Sequence, residues 1–298
     1  MANVTIATPT NFGFKRTVLS HGWCDLPPFN LERSKWALNR VLHLDDGLPV
    51  NVELTELESQ IKVRVPAKLS ARQCRKVERD VKHMLRLDDP MDHFYDLVSP
   101  EPLFAWIAKE GAGRLLRSPT VFEDLVKMMC TTNCSWALTE RMVNGMVNSL
   151  GTQTADGRRT FPKPEEIAAM PMSFFKTELS SGYRAPYLKQ LAEEVASGAL
   201  NVEAWLTSEL PPQELKKEMK RIKGVGDYVA ENMLKLVGRY QGLALDSWVR
   251  GKFSSTHNKG RPASDKKIDR HYARFGDWRG LALWCDLTRD WIEEPSAE

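Results

Sequence analysis

The chain is poor in cysteine and has no long apolar run. Its five cysteines, Cys24, Cys74, Cys130, Cys134 and Cys285, are odd in number and mostly far apart. That argues against the disulfide framework of a secreted protein and fits a reducing compartment. Only Cys130 and Cys134 stand one helical turn apart, and no nearby His or Cys completes a metal ligand set. Packing is their expected role, and no metal is assigned. No stretch of about 18 apolar residues occurs, so no membrane span is expected. The start, MANVTIATPTNFGFKR, lacks the basic and apolar regions of a secretory signal. The expected location is cytoplasmic. Strong net charge is also absent: the total is +3, so nucleic-acid binding would have to come from local clusters. There is no internal repeat and no low-complexity tail.

What is present suffices for a large core. The 298 residues are 42% hydrophobic and 27% charged, as expected for one large or two small globular domains. Residues 1–100 read as mixed. QIKVRVP alternates Ile61, Val63 and Val65 with Lys62 and Arg64, the period of a half-buried strand, and VNVELTEL precedes it. HGWCDLPPF reads as an edge or loop with aromatic anchors. Val77, Val81, Met84 and Leu85 then recur at helical spacing behind Ser70, a candidate N-cap. After Pro100 nearly everything reads as helix. TVFEDLVKMMCTTNCSWALTERMVNGMVNSLG is one long periodic run ending at Gly151. The fold class expected is α+β: a small N-terminal antiparallel sheet domain over 1–100, then a mostly helical domain over 101–298. The polar, basic segment 251–271 reads as a solvated loop.

The stretch RIKGVGDYVAENMLKLVGRYQGLALDSWVR, residues 221–250, carries the chemistry. Leu215, Met219 and Ile222 mark one helix face; Val229, Met233 and Leu236 mark another. Between them Gly224 and Gly226 allow positive φ and close approach, and Asp227 is a candidate cap for the second helix. This helix–turn–helix over 213–238 would leave backbone N–H groups pointing outward, with Lys220, Arg221 and Lys223 around them. Such a terminus suits a phosphate and reads no base sequence. Asp246 sits between GLAL and SWV, an odd place for a surface charge; it can cap a helix starting at Ser247.

IKGVGDYVAENML followed by ALDSWV resembles the helix-hairpin-helix DNA glycosylase superfamily. The resemblance lies between the 3-methyladenine and the 8-oxoguanine types. MMCTTNCSWALTERMVNGMVNSLG, SGYRAPYL and LDDPMDHFYDL extend it over most of residues 80–298. It implies an enzyme that flips a damaged or modified base out of double-stranded DNA and hydrolyses its N-glycosidic bond. The hairpin Lys223, Gly224, Val225 and Gly226, with Lys220 and Arg250, would hold the DNA backbone. A monovalent cation can accompany DNA at that hairpin; no other cofactor is implied. Asp246, twenty positions after Gly226, takes the place of the catalytic carboxylate. Asn133 falls on the residue that fills the vacated gap, with helix capping as its alternative. The resemblance places Asn232, Trp248, Arg279 and Leu283 at the base pocket; Trp136 and Trp284 are further candidates. Arg279 could instead pair with Asp277 or Asp286.

Three departures matter. The members that also cut the strand carry a lysine two residues after the second glycine; here that residue is Tyr228, and Lys235 lies two turns further on. A monofunctional enzyme without lyase activity is therefore expected. Leu138 stands where oxoguanine-type members read the opposite cytosine with arginine. A C-terminal iron–sulfur cluster would need four cysteines, and that region has only Cys285. The competing reading is a non-enzymatic DNA-binding module, which would need the hairpin but not the aspartate. The expected species is a nucleoid-associated monomer acting in base excision repair, or in defence against phage DNA bearing hypermodified cytosine.

Overall fold

A computed structural model describes residues 2–66 and 68–292. The N-terminal part is one antiparallel sheet built from β1 (Ala2–Ala7), β2 (Phe29–Glu32), β3 (Ala37–His43), β4 (Pro49–Leu57) and β5 (Gln60–Val65). The strand order is β1-β5-β4-β3-β2. The alternation read in β5 holds: Ile61, Val63 and Val65 are buried, whereas Gln60, Lys62 and Arg64 face solvent. Val63 pairs with Val4 and with Leu54, which fixes the register of three strands around one apolar row. β3 gives no alternation because it is buried along almost its whole length. Its Arg40 points into the helical region and grips Glu123 with both ends of its guanidinium, at 2.8 and 2.6 Å. Lys127 joins the same carboxylate at 2.7 Å.

The helices in chain order begin with α1 (Phe14–Val18), α2 (Ala71–Leu85), α3 (Asp92–Val98) and α4 (Ala105–Lys109). They continue with α5 (Val121–Cys130), α6 (Trp136–Leu150), α7 (Pro164–Ala168) and α8 (Ala185–Ala196). The last five are α9 (Pro212–Met219), α10 (Asp227–Leu236), α11 (Ser247–His257), α12 (Asp265–Tyr272) and α13 (Arg279–Leu287). Ser70 does cap α2, with a reciprocal bond from its own N–H to Gln73. None of these helices is long and apolar enough to cross a membrane.

One expectation, for 251–271, is corrected here. The periodic run 120–151 is two helices, in keeping with its likeness to a helix pair, because the hydroxyls of Thr131 and Thr132 bond back to the carbonyls of Met128 and Met129 at 2.7 and 2.8 Å. Asn133 then adopts φ 45°, and Ser135 starts α6. Segment 251–271 is mostly helix: α11 and α12 flank a short loop at 258–264. One apolar core runs without a break from the sheet into the helical part.

Candidate active site

The hairpin is α9, a turn at 220–226, and α10. Ile222 and Val225 are buried and anchor the turn, while Lys223, Gly224 and Gly226 are exposed. Gly224 is required twice over. Its φ is 88°, and a Cβ there would lie 2.9 Å from both Tyr187 and Met129. A Cβ on Gly226 would meet nothing, so the N-terminus of α10 opens onto free space. The expected cap is corrected: Gly226 holds the N-cap position and Asp227 makes no capping bond. Asp227 instead accepts from Lys216 and Lys220, each at 3.0 Å. Lys220 is thus partly neutralised, and Lys223 keeps its full charge for an anion.

Asp246 is the N-cap of α11, its Oδ1 accepting the Val249 N–H at 2.7 Å. This fixes one oxygen and leaves the other free. The loop that delivers it is held from two sides. From α10, Glu231 accepts the Ala244 N–H at 2.6 Å, and Lys235 donates to the Leu243 carbonyl at 3.2 Å. From α13, the Gly280 N–H donates to Tyr240 O at 2.8 Å, and Arg279 Nε donates to Gln241 O at 2.7 Å. A Cβ on Gly280 would sit 2.0 Å from Gly242 O, so only glycine lets helix and loop approach this closely. Ala244 is held at φ 51°, a costly conformation that these bonds stabilise.

Asp246 borders an open cavity of about 1020 Å³. Trp136, Trp248, Trp284, Trp291 and Trp36 supply its aromatic walls, and Asn232, Tyr228, His21 and the Asp25–Arg33 ion pair its polar ones. Asn232 Nδ2 donates to Tyr228 O at 2.9 Å, leaving its side-chain oxygen for a ligand. On the other side of Asp246 a groove runs along Gly224, Val225 and Gly226 to Asn133 and Tyr183. Asp246, Tyr228, Trp136 and Trp248 border both spaces. The carboxylate therefore stands on the lip between the glycine turn and an aromatic cavity. Tyr228 occupies that lip with a half-buried phenol whose ionisation burial pushes upward.

Of the residues named from sequence, the structure gathers Asn133, Gly224 to Gly226, Asn232, Asp246, Trp136, Trp248 and Trp284 around these two spaces, with Lys223 exposed next to Gly224 on the turn. Asn133 is not a helix cap; Ser135 is, and the Asn133 amide donates to the exposed Tyr183 hydroxyl at 3.2 Å. Two pocket expectations are overturned. Leu283 is completely buried in the core. Arg279 turns away from the cavity, bonding Gln241 O and pairing with Asp269 at 2.9 Å, not with Asp277 or Asp286. Arg250 spends its guanidinium on Asp265, at 2.8 and 3.0 Å. The sequence reading missed the far wall: His21, Gly22, Arg33, Trp36 and Trp291. Gly22 was the available signal, for a Cβ there would lie 2.4 Å from the Trp136 indole.

One group among the described residues approaches a metal-ligand arrangement. His257, His271 and Asp286 present ligand atoms within 4.8 Å of one another at the opposite end of α11. Hydrogen bonds to Asp286 from His257 at 2.7 Å and from Tyr272 at 2.6 Å account for most of that geometry.

This arrangement of an N-terminal sheet and a helical part is a fold shared with solved DNA glycosylases. The chain superposes on MBOgg1 in complex with a low-affinity DNA ligand with TM-score 0.77, 22% identity, and 99% and 97% of the two chains covered. On the 3-methyladenine DNA glycosylase of Archaeoglobus fulgidus the values are 0.74, 22%, 98% and 99%. On the 8-oxoguanine glycosylase/lyase of Clostridium acetobutylicum they are 0.74, 21%, 97% and 96%. In sequence it is similar to an N-glycosylase/DNA lyase of Saccharomyces cerevisiae, 26% identical over 180 residues. That match covers 55% of this chain and 46% of the yeast protein, so the chain matches about half the length of this relative. No family model matches the chain.

Proposed function

We propose that the protein is a monofunctional DNA N-glycosylase that removes a flipped base and leaves an abasic site. One observation carries this: Asp246 stands on the lip shared by the glycine hairpin and the aromatic cavity. Duplex DNA lies with a phosphate on the open N-terminus of α10 and Lys223, an arrangement indifferent to sequence. The target base leaves the stack and enters the cavity, because its bond to the sugar cannot be reached inside the duplex. Asn133, on its exposed loop, fills the gap and meets the partner base. The C1′–N bond breaks with its electron pair going to the base. The free oxygen of Asp246 faces the positive charge that develops on the sugar, and it orients the water that adds at C1′. That water loses its proton to Asp246 or to solvent.

Tyr228 is the ground for reading the reaction as stopping there. It fills the position from which a lysine would form a Schiff base, and a phenol cannot. The comparison with a glycosylase/lyase makes this the point to test: borohydride should trap no covalent adduct. The cavity is open and, at about 1020 Å³, has room for a bulky modified base as well as for a base differing by one atom. Acting on the hypermodified cytosines of phage DNA would make the enzyme defensive. The protein acts as a cytoplasmic monomer on the nucleoid, with a monovalent cation at the hairpin when DNA is bound.

The test is a panel of modified DNAs, phage genomes among them, incubated with wild type and Asp246→Asn, with released bases identified by mass spectrometry. Release by wild type alone, with DNA binding kept in the variant, supports the enzyme. Salt-sensitive DNA binding without release of any base supports a non-enzymatic binding module instead.

A further inference from the structure

Behind the main cavity lies an inner chamber of about 170 Å³. The two share His21, Trp136, Tyr228, Asn232 and Trp284 as walls. The inner chamber adds Lys235, which is 2% exposed and sits on α10. Its ammonium makes one hydrogen bond, to Leu243 O at 3.2 Å, and lies 5.6 Å from the Trp284 ring centre. An ammonium has three donors. No carboxylate comes within ion-pairing distance of it among the described residues. The neighbouring acids are engaged elsewhere: Glu231 holds Lys216 and Ala244, and Asp246 caps α11 at the outer lip.

The other titratable walls of the chamber carry no charge at neutral pH. Burial lowers His21 to about 4, and burial raises Tyr228. Burial also lowers Lys235, to about 8, with Glu231 and Asp246 opposing the shift, so it remains a cation at pH 7. Holding the loop at Leu243 needs only one donor and does not account for a cation at the end of an aromatic pocket, where an isolated charge is costly.

We propose that Lys235 determines which base the pocket accepts: it binds bases that present a carbonyl oxygen or a negative charge to the inner chamber and excludes cationic N-alkylated purines. This rests on reading the cavity as the base pocket of a glycosylase. The ammonium and the Asp246 carboxylate then bracket the scissile bond with opposite charges. As the C1′–N pair moves onto the base, Lys235 stabilises the base side and Asp246 the sugar side. An alkylated purinium leaves as a neutral molecule, gains nothing from Lys235 and is repelled before it reacts.

The test needs no turnover. Wild type, Lys235→Met and Lys235→Arg are titrated calorimetrically at mildly acidic pH, where urate is an oxopurine anion and 7-methylguanosine a cation, with these two and with adenine. Wild type should bind urate at least about tenfold more tightly than 7-methylguanosine. Lys235→Met should lose about tenfold or more for urate and keep adenine within about twofold, and Lys235→Arg should retain the preference. Raising the pH past about 8 deprotonates Lys235, so the wild-type affinity for urate, which stays an anion, should fall there and that of Lys235→Met should stay flat. Equal wild-type binding of urate and 7-methylguanosine, no urate binding at millimolar concentration, or unchanged urate binding by a folded Lys235→Met would overturn the proposal. If circular dichroism shows Lys235→Met unfolded, the wild-type order and its pH dependence decide alone. The glycosylase reading fails separately, through absence of base release from every modified DNA, whatever the ligand order.

Discussion

Glu231 and Ala244 are joined by a hydrogen bond of 2.6 Å, the carboxylate of α10 accepting the N–H of a loop residue held at φ 51°. One helical turn on, Lys235 holds the adjacent carbonyl, of Leu243. The hairpin helix thus has two jobs. Its N-terminus faces the groove along Gly224 to Gly226, and two of its side chains set the position of Asp246 two residues past Ala244.

Glu231→Ala should therefore harm chemistry more than grip. It leaves a buried N–H unpaired, at a cost of about 1–3 kcal/mol. The loop can relax by enough to cost roughly tenfold to a hundredfold in the rate of base release. DNA affinity, measured by anisotropy, should stay within about twofold of wild type. An unchanged rate with weakened DNA binding would assign Glu231 to the hairpin and not to the loop.

The hairpin turn itself should respond to Gly224→Ala. The added methyl meets Tyr187 and Met129 and forces a strained φ on an alanine. The expected effect is a loss of DNA affinity across all sequences, with the free protein also destabilised by about 1–3 kcal/mol. Lys223→Gln should leave stability unchanged and reduce the salt slope of DNA binding by about one. If the slope does not move, Lys223 is not at a phosphate.

Burial holds His21 down to about 4 in the folded chain, against about 6.5 when unfolded. The folded-state value is the lower one, so the unfolded chain binds more protons between these limits. Stability is then present at pH 7 and is lost as pH falls from about 6.5 toward 4, by up to about 3 kcal/mol from this group. His83 behaves in the same way, whereas Asp124, raised to about 6 by burial, works in the opposite sense. His21→Gln isolates the first contribution: its urea-unfolding free energy should fall less steeply with acid than that of wild type. Parallel curves would mean that His21 is not held neutral in the folded protein.

The parts of the site legible in the sequence are those made by local chain geometry. Ser70, the alternation of β5, the two glycines and Asp246 all follow from spacings within one or two turns or strands. The far wall of the cavity was not legible, because His21 and Trp36 meet Asp246 and Trp291 only through tertiary packing. Arg279 and Leu283 were placed by resemblance. In the structure Gly280 packs closely on the loop beside Asp246, Leu283 lies inward and Arg279 pairs with Asp269. Lys235 lies two turns past Tyr228 in the sequence; its place at the inner chamber depends on the helix being buried there, which spacing alone does not give.

The most direct test of base removal at Asp246 without strand cleavage is a single-turnover time course on an end-labelled duplex bearing a base that the enzyme releases. The expected result is intact strand until hot alkali is added, full cleavage after it, no borohydride-trapped adduct, and a rate about 10²–10³ lower in Asp246→Asn. Strand cleavage without alkali together with a trapped adduct, or an undiminished rate in Asp246→Asn, would contradict it.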